Sequence, residues 1–420
     1  MSDEVVDRDN SGHSGLTEDV ASQMPHGPAA LLEILLVALR LGLTSFGGPI
    51  AHLGYFKTEY VDRRRWLDAA VFADLVAIAQ SLPGAASSKL GISIGILRGG
   101  LVGGIAAWIG FTLPSALALI AFAIGSQALG SEADGWIHGL QVVAVAVVAL
   151  AVWSMARSLT PDRQRATIAI IAAVISLAVP TTVTTVTLIV VGGVVGWRLL
   201  GSDGEGAGVA VHVRISRRTG LIAGSLFVGL LVGLPLARSA VDSQPIALFD
   251  SFYRVGALVF GGGNLVLPLL QPEVVPPGWV TNDQFLAGYG AAQAVPGPLF
   301  TFAAFIGAAA VPEPNGLAGG TLAILAIFLP SFLLTVAALP WWSELRARQD
   351  VRAILRGVNA TVVGVLLAAL YHPVATNALS EPRDAALALA SFGLLAIWKM
   401  PPWIVVVATA AGGALLEAIA

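Results

Sequence analysis

The chain has 420 residues, of which 56% are hydrophobic and 12% charged, with a formal net charge of -3 and a mean hydropathy of +0.81. Soluble domains do not have this composition, and it marks a polytopic membrane protein. The absence of cysteine excludes disulfides, thiolate metal sites and cysteine nucleophiles, and the six histidines show no metal-ligand spacing, so neither metal nor cofactor is expected.

Residues 1–27 carry Asp3, Glu4, Asp7, Asp9, Glu18 and Asp19 without a basic start, a short apolar core or a cleavage site. They read as a disordered cytoplasmic tail, not a signal peptide. From Pro28 onward, apolar segments of about 20 residues follow one another, each of a length to cross a bilayer. Spans are expected near 28–48, 68–97, 100–127, 136–157, 164–179 and 181–200, which together make an N-terminal transporter repeat over 28–200. The polar loop Gly201 to Gly208 and the basic patch Arg214, Arg217 and Arg218 then precede a linking span near 219–237, the whole linker covering 201–245. A C-terminal repeat over 246–420 carries spans near 246–265, 281–311, 316–340, 353–373, 383–399 and 401–420.

The halves are related in sequence. Arg40, Gly42, Phe46, Gly47 and Gly48 recur 214 positions later as Arg254, Gly256, Phe260, Gly261 and Gly262. Trp66, Phe72, Gln80, Pro83 and Gly84 recur as Trp279, Phe285, Gln293, Pro296 and Gly297, and Leu113-Pro114-Ser115 recurs as Leu329-Pro330-Ser331. A run of registered matches marks a true internal repeat. Six spans return the chain to its starting side, so a seventh, unpaired span makes the second repeat begin on the other. The expected fold is therefore an all-α polytopic membrane protein of two inverted-topology repeats of about six spans each, with broken helices, plus one linking span. In such carriers the cargo site lies between the repeats near mid-membrane. Lys and Arg in the loops favour a cytoplasmic N-terminus, with Arg63, Arg64 and Arg65 on the wrong side unless part of 28–97 re-enters.

Two features carry chemistry. Arg40 and Arg254 sit in apolar surroundings, where a guanidinium faces a cavity, a counter-charge or cargo; snorkelling to an interface is the plain alternative. Pro83-Gly84 and Pro296-Gly297 interrupt long apolar segments and are expected to split each into half-helices, whose exposed N–H groups suit an anion. Ser87, Ser88 and Lys89 follow the first break, and Thr301 stands at the place of Ser88 in the second. Simple kinking and close packing are the ordinary reading of such residues. Lys89 is expected either to touch cargo or to pair with Asp74, which is the candidate proton-coupling acid. Counting Arg40, Arg254 and Lys89 against Asp74, with Glu33 and Asp250 assigned to span ends, leaves a net positive interior suited to a small oxyanion. The two arginines are expected to converge on one site near the pseudo-twofold axis. The candidate cargo set adds Gln80 and Gln293 beside the breaks and Gly263 and Asn264 after the second Phe-Gly-Gly.

Several runs resemble the chromate ion transporter family: Phe46-Gly-Gly-Pro-Ile-Ala-His52, Gln80-Ser-Leu-Pro-Gly84, Gly110-Phe-Thr-Leu-Pro-Ser115, Phe260-Gly-Gly-Gly-Asn264 and Gln293-Ala-Val-Pro-Gly-Pro-Leu-Phe300. The resemblance covers roughly 30–420, with Ala85 departing where the family often has a second proline. It implies a long-chain, two-domain member in the plasma membrane that exports chromate, driven by the membrane potential or a proton gradient and conferring chromate resistance; some members are proposed to handle sulfate. The implied partners are an oxyanion and the lipid bilayer, not nucleic acid, with homodimer formation left open. A passive anion channel remains the alternative. An intramembrane enzyme would need a catalytic dyad or metal cluster, and the sequence offers neither.

Overall fold

The computed structural model describes residues 27–129, 134–201, 215–260, 263, 265–342, 344 and 348–419, and among these there are helices and no strand. The expected N-terminal tail, apart from Gly27, and most of the Gly201–Gly208 loop, with Arg214, lie outside the described residues. In chain order the first half contains α1 (Pro28–Thr44), α2 (Gly48–Phe56, continued by the π-helical Lys57–Arg63), α3 (Ala69–Ser81), α4 (Ala86–Leu129), α5 (Asp134–Leu159), α6 (Arg163–Ala178) and α7 (Thr182–Leu199). Helix α8 (Arg217–Ala240) links it to the second half: α9 (Gln244–Leu258), α10 (Val266–Val274), α11 (Asn282–Ala294), α12 (Phe302–Ala309), α13 (Gly316–Ala338), α14 (Gln349–Ala369), α15 (Pro382–Ala396) and α16 (Pro402–Ile419). Six of the described helices, α4, α5, α7, α8, α13 and α14 with its extensions, are long and apolar enough to cross a bilayer. Their outward faces are apolar too, as Leu221, Ile222, Val232 and Leu236 on α8 show. The chain is an all-α polytopic membrane protein.

Four of the expected crossings are instead arms of hairpins that turn back. Glu33, early in α1, binds Arg64 at 3.0 Å and Arg98 at 2.8 Å. Residues 33, 64 and 98 therefore lie at one level, so 28–63 and 69–98 each run inward and return. In the second half, Arg254 of α9 holds both Asp250 and Glu273 of α10, and the Val311 N–H after α12 donates to the Trp279 carbonyl before α11. Hydropathy reports apolar content and not direction, so Gly-Gly and Pro-Gly turns were legible as breaks but not as reversals. Helices α2 and α10 fall where the sequence suggested loops. This return also carries Arg63, Arg64 and Arg65 to the side on which α1 begins.

Local chemistry explains where the arms start and stop. Asp68 caps α3 by accepting from the Val71 N–H at 2.7 Å, and at the matching place Thr281 and Gln284 form a capping box on α11. Helix α3 ends at Ser81 because Pro83 has no N–H to donate and Gly84 has φ of +106°. Helix α11 ends in the same way before Pro296 and Gly297, whose φ is +104°. Helix α4 bends sharply at Gly99 and Gly100, so its first arm, 86–98, packs back along its second. That second arm runs beside α1, and α13 runs likewise beside α9. Gly42 and Gly256 allow the close approach: a Cβ on Gly42 would lie 2.7 Å from the Phe111 carbonyl oxygen, and one on Gly256 2.1 Å from that of Ile327.

Helix α8 joins the two ends of the molecule. Ile215, Ser216 and Thr219 at its start line a cavity with Leu97, Gly99 and Leu101, at the level of Arg98. Arg238 near its end binds Asp250 at 3.3 Å and lies 3.8 Å from Glu273. Twenty-four helical residues rise about 36 Å, so the Glu33 level and the Asp250 level are a bilayer thickness apart.

Candidate functional site

The four hairpin tips meet in an exchanged pattern. The Gly84 N–H, in the first half, donates to the Val259 carbonyl of the second at 2.6 Å, and the Gly297 N–H donates to the Ser45 carbonyl of the first at 2.9 Å. Gly84 and Gly297 are repeat equivalents, as are Ser45 and Val259, the residues just before Phe46 and Phe260. The long helices join the same pattern. Ser331 Oγ on α13 accepts from the Ala85 N–H at 3.1 Å, and Ser115 on α4 abuts Gly297 so closely that a Cβ there would lie 2.5 Å from its Oγ. A Cβ on Gly84 would lie 2.1 Å from Ser331 Oγ. The two tips so joined bury most of these backbone groups, which would otherwise be costly orphans in a membrane.

Around this seam the candidate residues have unequal fates. Phe46 and Phe260 are half-buried, Phe46 with its ring 6.2 Å from Trp403, and Gly263 packs on Phe300. Gly47 and Gly48 form the first turn with positive φ, while Gly261, Gly262 and Asn264 lie outside the described residues. Gln80 is exposed, whereas Gln293 keeps a buried Nε2 without a hydrogen bond among the described residues. Ser87 and Ser88 are buried in the first turn of α4, and Ser88 Oγ makes no hydrogen bond among the described residues; its counterpart Thr301 donates to the Pro298 carbonyl at 2.7 Å. Asp74 is buried on α3. Lys89 is fully buried and donates back to the Leu82 and Pro83 carbonyls, the latter at 3.1 Å. It thus compensates the negative end of α3. Lys89→Gln is expected to cost about 1–3 kcal/mol of stability by leaving those carbonyls underserved. Thermal melting in detergent checks it, and an unchanged midpoint would mean that water replaces the ammonium.

The structure does not bring Arg40 and Arg254 together, and it overturns the net positive interior. Arg40 lies 3.8 Å from Glu59, which is also held by Arg63 at 3.2 Å and Arg64 at 2.7 Å. Arg254 clamps Asp250 and Glu273 at 2.9 and 2.8 Å. These clusters belong to the two levels that α8 separates. Asp250, assigned to a span end from sequence, is 1% exposed within its cluster. Glu59 and Glu273 are related by the same 214-residue offset as the arginines, a signal present in the sequence and missed because both were read as loop residues. Each repeat carries its own neutralising acid.

A second missed group is polar and lies on one side of the seam. His52 Nε2 is 3.2 Å from the Ser45 carbonyl that also receives Gly297, and the His52 ring meets Phe111 edge-on with centroids 5.5 Å apart. Thr112 and Ser115 follow on the same helix. Ser45, His52 and Thr112 are at most 2% exposed, yet Ser45 Oγ, His52 Nδ1 and Thr112 Oγ1 make no hydrogen bond within the described residues. The repeat-equivalent positions are Val259, Val266 and Phe328, all apolar. Buried groups of this kind are rare and each asks for a partner.

The family model for the chromate transporter matches residues 32–197 and again 246–414. The chain belongs to the chromate transporter family. Among curated relatives, the chromate transport protein of Pseudomonas aeruginosa is 27% identical over 410 residues, 94% of each chain. That of Cupriavidus metallidurans is 26% identical over 400 residues, 93% of each chain. An uncharacterized transporter of Bacillus subtilis is 27% identical over 176 residues, 41% of this chain and 97% of its own. No solved structure matches. The relatives of this chromate transporter family member are transporters and not enzymes, in keeping with the sequence reading.

Proposed function

We propose that the chain is a secondary carrier for a tetrahedral oxyanion, chromate foremost, and that the anion passes through the seam where the four hairpin tips meet. The observation that carries this reading is the exchange of backbone hydrogen bonds between the halves, Gly84 to Val259 and Gly297 to Ser45. A site built from both repeats can be bared to one side or the other as the halves rock, which is how repeat carriers alternate access. The course of α8 supports inverted repeats, since it leaves the Glu33 level and reaches the Asp250 level before the second repeat begins. The two arginine–carboxylate clusters then flank the seam from opposite sides as gates.

Orientation follows from charge. With the hairpins returning, Arg64, Arg98, Arg157, Arg163, Arg165, Arg198, Arg217, Arg348 and Arg352 fall on the side of the N-terminus, against Arg238, Arg254 and Arg383 on the other. That asymmetry favours a cytoplasmic N-terminus in the plasma membrane. Export then moves negative charge out of a cell that is negative inside, favoured by about 2.3 kcal/mol per charge per 100 mV. Chromate resistance in a sensitive host would follow. Purified protein in vesicles preloaded with unlabelled chromate, with the potential clamped at zero, should accumulate labelled chromate transiently above its outside concentration by counterflow, with sulfate and molybdate as competitors. Uptake that never exceeds the outside concentration and is not accelerated by chromate inside would replace the carrier with a channel.

A further inference from the structure

We infer that the polar group at Ser45, His52 and Thr112 seats the oxyanion together with one proton, held between His52 Nδ1 and a ligand oxygen. This rests on the carrier reading and names what the seat takes. The tautomer follows from geometry: a carbonyl only accepts, so the Nε2 facing the Ser45 carbonyl carries the hydrogen. In the neutral ring Nδ1 is then a bare acceptor. Among the described residues it is buried and without a hydrogen bond, as are Ser45 Oγ and Thr112 Oγ1, the latter next to the Phe111 that His52 touches.

The donors and acceptors suit one kind of ligand. Two hydroxyls donate to oxyanion oxygens, while Nδ1 needs a hydrogen to accept, and a fully ionised dianion brings none. A hydrogen oxyanion does. A proton on Nδ1 beside a dianion is the same protonation state of the pair, so the seat binds dianion plus proton however the hydrogen is shared, and both leave together. Among the described residues, the charges on neighbouring elements are already engaged. On the elements packed around α2, Lys57 pairs with Asp62, Glu59 with Arg63 and Arg64, and Arg98 with Glu33. Lys89 is turned to the carbonyls of its own break, Tyr60 stacks on Trp66, and Arg40 pairs with Glu59. Tyr55, three residues on from the buried His52, is exposed. The tip at 295–298, which reaches Ser45 from the second half, contributes no titratable side chain.

The assignment also explains the asymmetry of the halves. Val259, Val266 and Phe328 hold the places of Ser45, His52 and Thr112 around the other exchanged bond, so one seam position is polar and its mate is apolar. One ligand and one proton per cycle follow.

The test is calorimetry on the full chain in detergent, titrating chromate and sulfate in two buffers of different ionisation enthalpy, well above the ionisation of each oxyanion. The wild type should take up one proton per oxyanion bound, and its apparent Kd should rise about tenfold per pH unit. His52→Gln keeps a donor for the Ser45 carbonyl but sets a far weaker base at the place of Nδ1, so proton uptake per oxyanion and the pH slope should fall well below those of the wild type while the melting midpoint holds. Thr112→Val should weaken binding about tenfold without changing the proton count. Binding without proton uptake in the wild type, uptake retained in His52→Gln, or uptake lost in Asp74→Asn instead would overturn the His52 assignment and leave the carrier intact. If neither oxyanion binds the wild type, the carrier reading falls first and this assignment with it.

Discussion

Replacing Gly84 or Gly297 by alanine is expected to abolish oxyanion flux. Both glycines have φ near +105°, with values of +106° and +104°, and an L side chain in left-handed backbone costs about 1–2 kcal/mol before any contact is considered. The added methyl also meets the serine of the opposite repeat. The rescues should differ, which makes the prediction specific. Removing Ser115 Oγ leaves the Phe111 carbonyl oxygen 3.3 Å and Ser115 Cβ 3.5 Å from a Cβ at 297, a misfit of a few tenths of an ångström, so Gly297→Ala with Ser115→Ala should recover part of its flux. Removing Ser331 Oγ leaves a contact of 3.1 Å and strips the Ala85 N–H of its acceptor, so Gly84→Ala with Ser331→Ala should stay inactive. Vesicle flux at matched protein insertion measures both. Wild-type flux in either single variant would show that the seam does not close on these glycines.

The second large effect separates the two arginines, which sequence alone treats as equals. Arg254→Ala is expected to destabilise the fold by about 3–5 kcal/mol, the range for breaking a buried ion pair and stranding its charge. Asp250 is 1% exposed and Glu273 about 10%, and although Arg238 reaches both, it cannot supply the four hydrogen bonds that Arg254 makes. Arg40→Ala should cost only about 0–1 kcal/mol, because its side chain is 55% exposed, its contact with Glu59 is 3.8 Å long, and Arg63 and Arg64 remain on the same carboxylate. Yield and melting of the two variants in detergent decide the matter. Equal losses would mean that Arg40 has partners in the bilayer or in a second conformation that its contacts here do not reveal. Asp250→Asn with Glu273→Gln should restore much of the stability of Arg254→Ala, since it removes the stranded charge.

The sequence made the membrane class, the repeat and the positions of the breaks readable, because composition and Pro-Gly chemistry act locally. Direction was signalled only in the first half, by Arg63, Arg64 and Arg65 falling on the wrong side unless part of 28–97 re-enters. Pro83-Gly84 ends a helix in the same way whether the chain continues across the bilayer or turns back, and the ion pairs from Glu33 to Arg64 and Arg98 that decide it join residues 31 and 65 positions apart. The charge balance failed for a related reason. Glu59 and Glu273 fell between the apolar runs, and only the return of α2 and α10 brings them under the arginines. The polar group around Ser45 was hidden because a lone Ser and His flanking one run and a Thr in another carry no spacing signal. The fold assembles it by setting the tip of one repeat against a long helix.

Helix α8 has no counterpart in the repeat register, yet the order in which the chain is made gives it a decisive task. Each half emerges with nearly the same instructions and, left to itself, would enter the membrane in the same sense as the other. In the inverted topology proposed above, one additional crossing, opened by the basic Arg217 and Arg218 and closed near Arg238, reverses the second half before its first hairpin is synthesised. A chain shortened by that single crossing would still contain every residue of both seams. Gly297 would then be delivered to the same face as Gly84 instead of opposite it, and the Ser45 carbonyl would wait for a donor that topology could no longer supply.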